Sequence, residues 1–150
     1  MHQFKAVQFL PIDKKEAWDF FSSPTNLTLM TPPEMDFKIL TSLSSGEIFD
    51  GMKIDYRVKP LFGISMHWQT EIKKVENQRS FTDTQIKGPY EIWEHTHIFS
   101  ESNDGVLMQD VVNYKLPLGY IGVMMNSILI RKKIENIFEY RKKVLQKLFN

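Results

Sequence analysis

At 150 residues the chain has the length of one ordinary domain and can bury a real core. A net charge of +1 with 25% charged residues argues against disorder and against a broadly nucleic-acid-binding surface, while 13% aromatic residues imply a core or cavity lining rich in rings. The absence of cysteine excludes disulfides, thiolate metal sites and cysteine nucleophiles. The N-terminus has no signal-peptide core, and no apolar run nears the ~20 residues of a membrane span, so a soluble, cytoplasmic protein is expected.

In chain order, His2 to Leu10 alternates, with Phe4, Ala6 and Gln8 on one face, and predicts a strand that Pro11 ends. Asp13 suits an N-cap, and Glu16 completes a capping-box pattern for a helix carrying Ala17, Trp18, Phe20 and Phe21. Ser22-Ser23-Pro24 breaks that helix. Thr25 to Met30 predicts a second short one, closed by Pro32-Pro33. From Asp36 the hydrophobic period is two. Strands are predicted over about 36–42, 52–59, 64–75, 79–87, 90–100 and 106–115, with Gly, Pro, Asn or Asp between them. Met52, Ile54, Tyr56 and Val58 against Lys53, Asp55, Arg57 and Lys59 give one buried and one wet face, as in an antiparallel sheet. Beyond Leu116-Pro117-Leu118-Gly119 the period returns to 3.6. Val123, Ile130, Ile134, Ile137, Leu145 and Leu148 share a stripe, with Phe138 and Val144 beside it, which predicts a helix roughly 40 Å long. No repeat, low-complexity tract or linker interrupts this order, so residues 1–150 are expected to form one domain.

Short connections imply a meander, in which alternate turns lie at the same end of the sheet. One end collects the polar turns Ser44–Gly51, Glu76–Arg79 and Glu101–Gly105. The other collects Pro60-Leu61-Phe62-Gly63, Gly88-Pro89-Tyr90 and Leu116-Pro117-Leu118-Gly119. Turns normally face water, so an apolar set reads as a cavity mouth or a docking surface, unless the turns tuck against the helices. Leu61, Phe62, Pro89, Tyr90 and Leu118 are the expected entrance.

Several stretches carry a family likeness: Pro60-Leu61-Phe62-Gly63 followed by Met66-x-Trp68-x-Thr70-Glu71-Ile72, and Gly88-Pro89-Tyr90 leading into Trp93-x-His95-x-His97-x-Phe99. Met108-x-Asp110-x-Val112-x-Tyr114 and Leu116-Pro117-Leu118-Gly119 complete it. With the element order, these resemble the START-like superfamily (SRPBCC, Bet v 1-like) over essentially the whole chain, with a closer likeness to polyketide-cyclase/dehydrase-like ligand-binding domains. The resemblance implies an α+β helix-grip fold, in which a seven-stranded curved antiparallel sheet (β-α-α-β6-α) wraps a long C-terminal helix. It also implies an internal cavity for a hydrophobic small molecule. Because this superfamily hosts carriers, cyclases, hydrolases and co-chaperones alike, no catalytic set is carried over.

The turns also set a register. Tyr56 faces Trp68, which keeps Met66, Trp68, Thr70 and Ile72 inside with Ile54 and Val58. Ile72 pairs with Asp83, so Phe81, Asp83 and Gln85 point inward, and the following turns bring in Trp93, His95, His97, Met108, Asp110, Val112 and Tyr114. Asp83 then lies opposite His95, and Asp110 opposite His97. A one-residue slip at one of these turns would put both histidines outside. The inward register keeps Trp93 and Phe99 out of water and is preferred.

Three chemistries compete with plain hydrogen-bonded core histidines. His95 and His97 share a strand face as chelating pairs do, but no clear third ligand accompanies them and His67 faces away, so neither metal nor cofactor is expected. Acid–base catalysis would use His95 or His97 oriented by Asp83 or Asp110, without a nucleophile at a recognisable spacing. Polar anchoring of a ligand in an apolar cavity is preferred. Its walls are expected to include Tyr56, Met66, Trp68, Asp83, Gln85, Trp93, His95, His97, Met108, Asp110, Tyr114, Met124 and Met125. The function expected is binding, with possible transport or sequestration, of a hydrophobic or aromatic small molecule. The alternatives are a cyclase, dehydratase or hydrolase in the same cavity, or a docking module.

From Tyr120 onward there are seven Lys or Arg (131, 132, 133, 141, 142, 143 and 147) and two Glu. They are expected to form the solvated face of the helix. Attraction to an anionic membrane surface is the less favoured reading, and nucleic acid is not expected, because no aromatic platform accompanies the charge.

Overall fold

The computed structural model describes residues 1–42, 47–61, 63–117 and 127–150, with Leu61 and Ser127 described by backbone alone. The elements run β1 (His2–Leu10), α1 (Lys14–Phe21), α2 (Leu27–Met30), β2 (Lys38–Ile39), β3 (Lys53–Leu61), β4 (Ile64–Glu76), β5 (Ser80–Lys87), β6 (Ile92–Ser102), β7 (Gly105–Lys115) and α3 (Ser127–Leu148). All seven strands form one antiparallel sheet in the order β1-β7-β6-β5-β4-β3-β2. Among the described residues no helix is long and apolar enough to cross a membrane.

Local chemistry explains most boundaries. The Asp13 carboxylate caps α1 by accepting from the Glu16 amide at 2.8 Å. Turns after β4 and β6 place Gln78 and Asp104 at φ of +61°, a conformation the short polar side chain of Asp104 tolerates and Gln78 adopts without that advantage. The expected register is observed: Tyr56 pairs with Trp68, and Ile72 with Asp83. Asp83 lies across from His95, and Asp110 across from His97.

Two expectations need correction. The strand predicted over 36–42 is only two residues long. Asp36 sits at φ +47° after the Pro33–Met35 turn, which delays the extended run. Beyond Ile39 the Thr41 hydroxyl, rather than backbone, accepts from the Asp55 amide at 2.7 Å. The buried stripe of α3 is also rotated from the one expected. It runs Ile130, Ile134, Phe138, Arg141, Leu145, whereas Leu148 is exposed and Ile137 and Val144 are only half-buried. Arg141 therefore points into the protein, not into the solvated basic face. Val123 and the expected start of the helix lie outside the described residues.

Two apolar clusters pin the helices to the sheet's inner face. Under α1, Trp18 makes edge-on contacts with Phe81 and Phe99 (ring centroids 5.7 and 5.6 Å apart), joined by Leu10, Met108 and Leu145. Under the first half of α3, Phe4, Val112, Tyr114, Ile130, Ile134 and Phe138 pack together. The edge strand β1 closes against β7 at Gly105, where a Cβ would come within 2.3 Å of the Leu10 carbonyl oxygen. Gly105→Ala should therefore force the strands apart at this corner and cost about 1–3 kcal/mol. Urea denaturation would measure it, and a neutral result would show that the corner relaxes freely.

Candidate functional site

Between the inner face of β3–β6 and the helices lies a cavity of about 170 Å³. Its walls are mainly apolar: Phe37, Ile54, Val58 and Trp68 on one side, Met30, Ile134 and Ile137 on the other. One region is polar. There β5 and β6 present Asp83, His95 and His97, and α3 presents Arg141.

These side chains form a closed network with Asp110 of β7. His95 Nε2–H donates to Asp110 Oδ1 at 2.7 Å, and His97 Nε2–H donates to Asp83 Oδ2 at 2.9 Å. Carboxylates accept only, which assigns the protons to those ring nitrogens. The hydrogen bonds thus run diagonally across the ladder, not between directly opposed residues. The other ring nitrogens complete the circuit at longer range, His95 Nδ1 lying 3.8 Å from Asp83 Oδ2 and His97 Nδ1 lying 3.5 Å from Asp110 Oδ1. The two imidazoles stack with centroids 3.8 Å apart, and His97 stacks in turn on Phe81 at 4.3 Å. Arg141 lies between Phe138 and Phe21, its guanidinium 5.2 and 6.0 Å from their ring centroids, with Nη2 3.9 Å from Asp110 Oδ1.

Burial alone would raise both carboxyls. For Asp110 the Arg141 guanidinium and the His95 hydrogen bond outweigh it, and for Asp83 the His97 hydrogen bond and the nearby His95 do so. Both acids are held below the usual carboxylate range. Burial, reinforced by His95, pushes His97 down to about 4, so this imidazole is neutral at pH 7. Burial also raises the Tyr56 phenol, and the charge of Asp83 adds to the shift. A second cleft of about 300 Å³, between β1 and α3, reaches Asp110 and Arg141 from the other side. Phe138 and Arg141 line both spaces, and Asp110 lines the second alone.

Among solved structures, the chain superposes on a START superfamily protein from Mycobacterium smegmatis with a TM-score of 0.74 at 13% identity, over 99% of this chain and 97% of that one. It also matches the di-domain ARO/CYC StfQ from the steffimycin biosynthetic pathway (TM-score 0.71, 8% identity, 95% of this chain and 49% of that one). A third match is Ara h 8.0201 (TM-score 0.61, 13% identity, 97% and 98%). The chain has the START-like, Bet v 1-like helix-grip fold. No protein-family model matches the sequence, and no curated protein does.

Within this START-like frame, Tyr56, Trp68, Asp83, Trp93, His95 and His97 stand on the cavity wall. Other residues expected there do not. Met108 is taken up by the core beneath α1, and Tyr114 by the core beneath α3. Asp110 stands behind His95, and Met66 is half-buried off the wall. Gln85 is occupied by the β5–β6 turn, donating to the Tyr90 carbonyl at 2.7 Å and accepting from its amide at 3.2 Å. That clamp needs Gly88, where a Cβ would meet Gln85 Oε1 at 2.4 Å. Met124 and Met125 lie outside the described residues.

The expected entrance is also corrected in part. Pro89 and Tyr90 are buried, and Tyr90 packs against Trp93, Trp68 and Tyr114, with centroids 4.7, 5.8 and 6.0 Å apart. Tyr90 nevertheless lines the cavity beside Trp93, whereas Pro89 does not. Phe62 and Leu118 lie outside the described residues, as does the Leu61 side chain. The sequence reading missed Arg141, Thr70 and the α3 residues Ile134, Ile137 and Phe138 as wall components. For Arg141 a signal existed: it falls three residues after Phe138 and four before Leu145, on the buried stripe.

Proposed function

We propose that the protein binds a hydrophobic or aromatic small molecule, of one or two rings, in the cavity between sheet and α3, with its polar group toward the histidine–aspartate cluster. The observation that carries this reading is an apolar cavity of about 170 Å³ interrupted by one buried polar region. Small-molecule sites have this make-up. The volume is close to the roughly 150 Å³ of an engineered apolar cavity that takes up benzene. Trp68 and Trp93 on the wall supply a direct readout. 2-Naphthol is expected to quench tryptophan fluorescence saturably. Ile137→Trp, at a half-buried wall position, should lower its affinity at least tenfold while the melting temperature moves little. Unchanged affinity in that variant would sink the cavity reading.

Acid–base catalysis in the same cavity is the second reading, favoured by one observation: His97 is neutral at pH 7 and held by a carboxylate. Once a substrate is found, Asp83→Asn, which alters the carboxylate that holds His97, separates the two readings. A loss of turnover with affinity retained supports catalysis, and equal losses support anchoring.

A further inference from the structure

We infer that Asp83, His95 and His97 form a three-ligand site for a divalent first-row transition ion, with its open coordination positions facing the cavity. This goes beyond small-molecule binding and does not rest on it. The histidine pair on one strand face lacked a third ligand in the sequence, and the neighbouring strand β5 supplies it. Asp83 Oδ2 lies 2.9 Å from His97 Nε2 and 3.8 Å from His95 Nδ1, and the three ligand atoms fall within 4.8 Å of one another. Around a tetrahedral ion with bonds of about 2.0–2.2 Å, ligand atoms stand roughly 3.3–3.6 Å apart. The observed spacing brackets that range.

Two further features point to an ion. His95 Nε2 is engaged by Asp110, which leaves Nδ1, 3.8 Å from Asp83 Oδ2, as the ring nitrogen on the side of the carboxylate and available to an ion. His97 is 4% exposed, and its Nδ1 has no hydrogen-bond partner among the described residues. If an ion takes Nε2, the ring proton moves to Nδ1, which stands 3.5 Å from Asp110 Oδ1. Asp110 would then support both histidines from behind, the usual arrangement around ligating imidazoles.

Charge agrees. The cluster sets two carboxylates, Asp83 and Asp110, against the single guanidinium of Arg141, so a cation adds a second positive partner for them. Two nitrogens and one oxygen suit zinc or ferrous iron rather than calcium or magnesium. All three residues line the cavity, so a bound ion would meet whatever enters it.

The test is titration of the chelator-treated full chain with Co²⁺ and then Zn²⁺. One equivalent of Co²⁺ should produce a visible ligand-field band that Zn²⁺ abolishes, and His95→Gln and Asp83→Asn should lose it. Asp110→Asn should weaken zinc about 10–100-fold. Absence of the band in the unaltered protein, or equal zinc affinity in His95→Gln, would overturn the inference; the latter would send the ion to the exposed His67–Asp55 pair. If the variants fail to fold, zinc-edge X-ray absorption of the unaltered protein decides. Two imidazoles in the zinc shell are expected, and fewer would overturn the site.

Discussion

Replacing Arg141 by Met should cost about 3–5 kcal/mol, the largest effect expected of any charged residue in this protein. Arg141 is 6% exposed, and its guanidinium lies 3.9 Å from the Asp110 carboxylate, itself buried. Methionine keeps most of the apolar stem that packs between Phe21 and Phe138, so the loss would not be a cavity effect. What remains, among the described residues, is a buried carboxylate supported by the hydrogen bond from His95, with His97 Nδ1 at 3.5 Å. Desolvating an unpaired ion is the expensive term. Adding Asp110→Asn removes that charge, so the double variant should recover much of the loss. Urea denaturation of the four proteins in the cycle measures the coupling. Strictly additive losses would show that the pair does not interact. Lys115→Met supplies the contrast. Its ion pair with Glu91 is half-exposed on both sides, and its loss should move stability by no more than ~0.5 kcal/mol.

The second large effect is on pH dependence. The metal-free protein should lose roughly 3 kcal/mol as the pH falls from about 6.5 to about 4. His97 titrates near 6.5 in the unfolded chain and at about 4 when folded. Through that window the unfolded state takes up a proton that the folded state refuses, so stability rises with pH. Asp83 and Asp110 act in the same direction at still lower pH. Their folded values are held down, so their contribution is present above the ordinary carboxylate range and is lost as the pH falls through the folded values. Unfolding curves at pH 7, 5.5 and 4.5 on chelator-treated protein test this. His97→Gln keeps a donor for Asp83 but cannot take up the proton, so it should flatten the slope between 6.5 and 4. An undiminished slope would place the proton uptake on another group.

Much of the fold was legible because strand signals are local. Period-two alternation marks two faces, and turn positions set the register. The pairs Tyr56–Trp68, Ile72–Asp83 and His97–Asp110 follow from that alone. The cap at Asp13 was legible for the same reason, since acceptor and amide are three residues apart. The predicted strand at 36–42 failed because a left-handed residue at Asp36 and a side-chain hydrogen bond at Thr41 replaced the ladder. Neither leaves a periodic trace.

The sequence by itself determined which residues turn toward the inside: Tyr56, Trp68, Asp83, Trp93, His95 and His97 among them. Alternation is a property of the extended chain, and burying the rings of Trp93 and Phe99 selects one of two registers. Only the tertiary structure decided which part of the inner face stays open. Met108 and Tyr114 point the same way as His95, yet α1 and α3 cover them. Those helices come from distant segments, and their seating depends on volume and shape summed over many contacts. The same seating turns Arg141 inward, because rotating α3 to bury Phe138 and Leu145 carries the residue between them with it. The hydrogen bonds of the cluster were decided there too. Strand side chains lean along the strand, so in a twisted sheet His95 reaches Asp110 and His97 reaches Asp83 along diagonals that a flat register does not show.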